Sequence, residues 1–75
     1  MDRKIFESKM QMAEAKILIG DGPEYWQGYQ QGLMRQYHGD SVVTMEKHRE
    51  WMKKAAAEDN KVYEAGKGYM DGFLA

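Results

Sequence analysis

Two histidines are the only side chains suited to acid–base catalysis near neutral pH, and they flank one short connector. His38 lies just before Asp40 and Ser41, and His48 follows further along the chain. A hydroxyl, an imidazole and a carboxylate are the groups that nucleophilic hydrolysis needs. However, the Gly-x-Ser-x-Gly motif is absent and no oxyanion-hole loop is recognisable. His48 also falls on an apolar helical face with Trp51, where a hydrogen-bonded structural histidine is typical. The sequence therefore predicts that this chain is not an enzyme.

The same connector offers a set of metal ligands that does not form a known pattern. His38, Asp40 and His48 could converge, but their spacing is unlike H-E-x-x-H, and there is no cysteine to complete a tetrahedral zinc site. Gly20 and Gly22 are not followed by the Gly-Lys-Ser/Thr of a phosphate-binding loop. We expect no metal, no cofactor and no small-molecule substrate.

Length, charge and hydrophobic content indicate what class of protein this chain is. The chain has 75 residues, a formal net charge of −1 and 43% hydrophobic residues, which is ordinary for one small globular domain. The longest apolar runs, such as Ile17-Leu18-Ile19, are far too short to span a bilayer. We expect a soluble cytoplasmic protein with no membrane partner and no strong overall attraction to nucleic acid.

Apolar residues recur at the 3.6-residue period throughout, so the predicted fold is all-α, a small bundle of three to four short helices. Asp2 and Thr44 are good N-caps, and Asp59-Asn60 is a break or a new N-cap. Gly20 to Pro23 and Gly39 are helix-ending signals. The predicted helices cover approximately residues 3–19, 23–38, 45–58 and 61–73. One long bent helix from Met45 to about Phe73 remains an alternative, because Asp and Asn are tolerated inside helices at modest cost.

A glycine pattern occurs twice, forty residues apart. Gly28-Tyr29 and Gly32-Leu33 in the second helix correspond to Gly68-Tyr69 and Gly72-Phe73 in the last. Each helical glycine costs about 1 kcal/mol relative to alanine, and glycines four residues apart leave a groove on one helix face. We predict that these helices cross at the Gly-x-x-x-Gly grooves and that Tyr29 and Tyr69 pack across the crossing. In the alternative, the glycines mark loops or frayed ends.

Basic residues gather in the middle of the chain, where residues 35–54 carry a net charge of +2. The candidate partner-binding residues are Arg35, His38, Lys47, Arg49, Lys53 and Lys54. Thr44 could open the recognition helix of a helix-turn-helix. Acids such as Glu46 and Glu50 alternate with these bases, however, which is typical of a solvated helix face. This pattern argues against a nucleic-acid partner.

Seven methionines and nine aromatic residues are more than a thin core uses comfortably, and both residue classes are favoured at protein contacts. Trp26, Tyr29, Leu33, Trp51 and Tyr69 fit the predicted core. Met34, Met45 and Met70 fit the core stripes less well, so we expect some of them at the surface.

Residues 25–73 resemble small proteins encoded by bacteriophages and prophages. The motifs that carry the resemblance are Tyr25-x-x-Gly28-Tyr29-x-x-Gly32-Leu33-x-Arg35-x-Tyr37-His38-Gly39, then Thr44, His48 and Trp51, and finally Gly66-x-Gly68-Tyr69-x-x-Gly72. Those proteins often have an aromatic-Gly pair where Val42-Val43 stands here. The resemblance implies a bacterial cytoplasm during infection or lysogeny. Small phage accessory proteins commonly bind and block host machinery, including CRISPR effectors. This expectation is an analogy with that class of proteins and does not rest on particular residues of this chain.

Three functional hypotheses follow from these observations. The first is a non-enzymatic phage-type accessory protein that binds a host bacterial protein or complex stoichiometrically and inhibits a defence or regulatory system. The second is a helix-turn-helix-like nucleic-acid-binding regulator that uses the third helix. The third is a self-associating structural or assembly component, with a homodimer as its simplest form.

Overall fold

The computed structural model describes all 75 residues and contains four α-helices joined by short turns. They are α1 (Arg3–Leu18), α2 (Pro23–His38), α3 (Met45–Lys54) and α4 (Asn60–Phe73), with a single 3₁₀ turn at Gly39–Ser41. The fold is an all-α bundle without strands, as the apolar periodicity predicts.

The predicted capping residues begin their helices. The Asp2 carboxylate accepts a hydrogen bond from the backbone N–H of Ile5 at 3.0 Å, and Thr44 Oγ1 accepts one from Lys47 at 3.2 Å. Asp59 caps α4 by accepting from the N–H groups of both Lys61 and Val62. These bonds satisfy backbone donors that have no partner inside the helix.

The third helix is shorter than predicted, ending at Lys54 rather than near residue 58. The backbone N–H groups of Ala55, Ala56 and Ala57 bond carbonyls three residues earlier, so the chain turns tightly. The chain then reverses direction, and α4 returns so that Gly66 lies against the backbone of Ala55. Residues 45–73 therefore form two helices, and the single bent helix is excluded.

The helices lie side by side in the order α1, α2, α4, α3, in a molecule of 35 × 31 × 15 Å. Both α1–α2 and α3–α4 are helical hairpins. Helices α2 and α4 run parallel, since Gly28 lies against Ala65 and Gly32, one turn later, lies against Tyr69. The α2–α4 contact is the most extensive in the molecule.

The buried core consists largely of backbone. Ten residues are buried, and five of them are glycines in α2 and α4. Only Tyr69, Leu33 and Val43 bury a large side chain completely. Val43 belongs to the predicted α2–α3 connector, so that connector contributes to the core. Because so little side-chain volume is enclosed, many apolar side chains remain at the surface.

Candidate functional site

The two glycine pairs meet each other reciprocally across the α2–α4 contact. Gly28 lies against the carbonyl oxygen of Ala65, while Gly68 lies against that of Tyr25. One turn later, Gly32 lies against the carbonyl oxygen of Tyr69 and Gly72 against that of Tyr29. A β-carbon at any of these four glycines would overlap a backbone oxygen. The glycines are therefore required for close packing and do not mark loops.

The register of this contact repeats the forty-residue offset of the sequence. Gly28 contacts Ala65 in the same way that Gly68 contacts Tyr25. One turn later, Gly32 contacts Tyr69 in the same way that Gly72 contacts Tyr29. The two helices are consequently related by an approximate two-fold axis parallel to them. Close approach of this kind also brings glycine Cα–H groups towards carbonyl oxygens, which adds a weak favourable contact.

The rings of Tyr29 and Tyr69 have separate partners, although their backbones meet the opposing glycines. Tyr29 packs with Tyr25 and Trp26, at ring-centroid distances of 6.3 and 5.1 Å, and with Ala13 of α1. Tyr69 packs instead with residues of α3. The predicted packing across the crossing thus involves tyrosine backbone rather than ring against ring, because the glycine grooves admit the main chain itself.

His48 connects α3 to the core through Tyr69. Its Nδ1 atom shares a hydrogen bond of 2.6 Å with the Tyr69 hydroxyl. The Trp51 ring stacks on Tyr69 with centroids 5.5 Å apart and planes 5° apart, and Phe73 lies 4.9 Å from the His48 ring. His48 is therefore a hydrogen-bonded histidine on the packed face of α3, as the sequence predicts.

Arg35 is a structural residue rather than a free binding group. Its side chain is only 12% exposed, and its guanidinium pairs with Asp40 and donates to the carbonyl oxygen of Val43 at 2.8 Å. These bonds hold the α2–α3 connector against α2. Little of the Arg35 side chain is therefore exposed for binding the partner that the sequence analysis considered.

The other candidate binding residues differ in their exposure and in their side-chain contacts. Lys47, Arg49 and Lys53 are exposed and form no ion pair. Lys54 is half-buried, with its ammonium 5.4 Å from the centroid of the Trp51 ring. His38 is exposed, and its ring meets Phe6 and Tyr37 edge-on. The structure does not gather these six residues into one patch.

The side chains considered for catalysis or metal binding engage different partners. Ser41 Oγ donates to the carbonyl oxygen of His38 at 3.0 Å, Asp40 pairs with Arg35, and His48 bonds Tyr69. No group of three His, Cys, Asp or Glu side chains is placed to hold a metal ion, and no pocket is present.

A polar cluster that the sequence did not reveal ties α2 to α4 on the outside of the contact. The Tyr25 hydroxyl donates to Asp71 at 2.5 Å, and Lys67 Nζ lies 2.8 Å from the same carboxylate. The hydrogen bonds from Lys67 and then Tyr25 lower the pKa of Asp71 from its ordinary 3.8. Partial burial, followed by the bond to Asp71, raises the pKa of Tyr25.

Helix α1 has exposed apolar residues in addition to those on its packed face. Its inner face, made of Phe6, Met10 and Ala13, packs against α2. A second set of apolar and small residues runs along the flank and far side of the helix, and we call it the outer stripe: Ile5, Ser8, Met12, Ala15 and Ile19. The three large members are 47%, 40% and 73% exposed for Ile5, Met12 and Ile19.

The outer stripe has a sequence signal of its own, at spacings of three and four residues from Ile5 to Ile19. This is the a/d spacing of a coiled-coil helix over two heptads, with the small residues Ser8 and Ala15 at d. The inner face of α1 has the same helical period, so this second pattern is overlooked once the inner face has been assigned to the core. Ile19 caps α1 in a helical conformation, so the stripe keeps its phase to the end.

None of the helices combines the length and the apolar content needed to cross a membrane. No protein-family model, no curated protein and no solved structure matches this chain.

Proposed function

We propose that this chain is a non-enzymatic, phage-type accessory protein that binds a host bacterial protein stoichiometrically. It acts in the bacterial cytoplasm and inhibits a defence complex of the kind that anti-CRISPR proteins block, or a regulatory complex. The provenance rests on the resemblance of residues 25–73 to small phage and prophage proteins.

The observation that carries a binding role is the outer stripe of α1. Ile5, Met12 and Ile19 are large apolar side chains that a helix in a small protein normally buries, yet here they face outwards in a row. A row of exposed apolar side chains on one helix face is typical of interaction sites. The place of α1 at one end of the helix order supports the same conclusion, because α1 packs mainly on α2.

Nucleic acid is the second candidate partner, and the three exposed bases of α3 favour it. Two features weigh against it. In a helix-turn-helix the recognition helix packs on its predecessor, whereas α3 packs mainly on α4. Glu46 and Glu50 also place carboxylates beside the bases that would approach phosphates.

The experiment is capture of partners from a bacterial lysate on the tagged protein, with mass spectrometry and light scattering of the purified complex. Ile5→Gln with Met12→Gln should abolish capture, while Met45→Gln with Met52→Gln should retain it. Met45 and Met52 are exposed by 43% and 37%, so the second pair is a matched control on α3. Identical capture by both double variants would refute a role for α1, and absence of any stoichiometric complex would refute the binding function.

A further inference from the structure

The outer stripe is bordered by lysine along one side and at the start of the other. In a heptad register with Ile5, Met12 and Ile19 at a, both e positions are lysine, Lys9 and Lys16. The g positions are Lys4, Gln11 and Leu18. The e and g residues flank the seam of a coiled coil and choose its partner by charge. The open face of α1 is therefore an apolar strip with lysines along one edge and a further lysine at the start of the other.

The acidic residues of α1 do not neutralise these edges. Glu7 pairs with Arg3 at 2.9 Å, and Glu14 accepts a hydrogen bond from Gln30 of α2 at 3.1 Å. Lys16 alone has a carboxylate nearby, since Asp21 lies 3.3 Å away in an exposed pair that contributes little. The edges can accordingly pair with charges from outside the molecule.

A second copy of this chain fits the outer stripe poorly. In a parallel pair of helices, g residues face e residues of the following heptad, which places Lys4 beside the copy's Lys9. In an antiparallel pair e faces e, and both e residues are lysine. Either orientation sets like charges against each other at the seam, which disfavours that pairing.

We propose that the outer stripe of α1 docks a single amphipathic helix whose apolar seam is edged by Glu or Asp. This inference rests on the proposed protein-binding function and names the chemistry of its partner. The partner's apolar residues fill the row formed by Ile5, Met12 and Ile19, which extends for about 21 Å at 1.5 Å per residue. Its carboxylates pair with Lys4, Lys9 and Lys16.

The test uses two synthetic helices, each three heptads long, with Ile and Leu at a and d. One has Glu at every e and g position and the other has Lys. Fluorescence anisotropy should show the Glu helix binding at least about tenfold more tightly than the Lys helix at low ionic strength, with the difference shrinking as salt is added. Ile5→Gln with Met12→Gln should abolish binding of the Glu helix, and Met45→Gln with Met52→Gln should leave it unchanged.

Each other outcome overturns a defined part of the inference. Equal affinity for the two helices rejects recognition by charge, and no binding of either up to about 100 µM rejects the helical partner. A dimer in sedimentation that is lost only in the Ile5 and Met12 double variant makes a second copy the occupant. If lysate capture still depends on α1 while neither helix binds, the proposed function stands and only the helical partner is wrong.

Discussion

Gly32 of α2 lies directly against the carbonyl oxygen of Tyr69 in α4, with no room for a side chain between them. The backbone nitrogen of Phe73 would be only 2.6 Å from a β-carbon at that glycine. Since the obstacles are main-chain atoms of a helix, they cannot turn aside as a flexible side chain would. The contact between α2 and α4 at Gly32 is therefore backbone against backbone.

Enlarging Gly32 should destabilise the protein in spite of the better helix propensity of the replacement. Gly32→Ala gains about 1 kcal/mol of propensity, but overpacking should leave a net loss of about 1–3 kcal/mol in the free energy of unfolding. Chemical denaturation measures this, with Gln27→Ala on the exposed side of α2 as the control. Gly32→Leu or Gly72→Leu should lose more, and a raised melting temperature in either would mean that the grooves are empty.

Replacing Arg35 should cost more stability than replacing its ion-pair partner. Arg35→Ala removes a charged hydrogen bond to the Val43 carbonyl and should lower the free energy of unfolding by about 2 kcal/mol. Asp40→Ala should cost less than about 1 kcal/mol, because the Asp40 side chain is largely exposed and the Val43 bond survives. Urea denaturation of both variants tests this order, and equal losses would contradict it.

The hydroxyl of Tyr69 should contribute measurably through its bond to His48. Tyr69→Phe keeps the stacked ring but leaves His48 Nδ1 without its partner, which should cost about 1 kcal/mol of unfolding free energy. Tyr63→Phe is the matched control, since Tyr63 is exposed and bonds nothing through its hydroxyl. If the two substitutions had the same effect in thermal denaturation, the hydrogen bond would contribute nothing.

Acid should weaken the contact between α2 and α4 through Asp71. The pKa of this carboxylate is lowered in the folded protein, so its contribution is present above the ordinary carboxyl pKa of 3.8 and is lost as pH falls through the lowered value. Stability measured across the acid range should therefore fall less steeply for Asp71→Asn than for the wild type. Equal slopes for the two proteins would mean that the ionised Asp71 does not stabilise the contact.

The protein should show no measurable binding to duplex DNA at physiological salt. Lys53→Ala combined with Lys54→Ala should leave its biological activity intact. Lys54 lies over Trp51, and the exposed bases of α3 are interleaved with acids. A mobility shift over a salt series is decisive, as each phosphate contact adds about 0.9 to the logarithmic salt slope. Micromolar binding lost with salt and with this double substitution would favour the nucleic-acid hypothesis.

The helices and their boundaries follow largely from local features of the chain. The apolar period, the capping residues Asp2, Thr44 and Asp59, and the turn from Gly20 to Pro23 act over a few residues, so they can be recognised without knowing the fold. The repeated glycine pairs also identify which two helices approach closely. The largest difference is at the end of α3, which lies at Lys54 rather than near residue 58. The return of α4 against Ala55 is a contact between distant segments, so local features do not show it.

The sequence alone determined which faces are apolar, whereas the tertiary structure decided which of them are covered. Helix α1 has two apolar patterns, and the helical period of the sequence does not show which of them packs against α2. Likewise, a charged residue such as Arg35 looks like a surface group until the connector folds back over it, and Val43 looks like a loop residue until the same contact buries it. Which apolar faces are buried depends on contacts between residues far apart in the chain. Those contacts leave the outer stripe of α1 exposed.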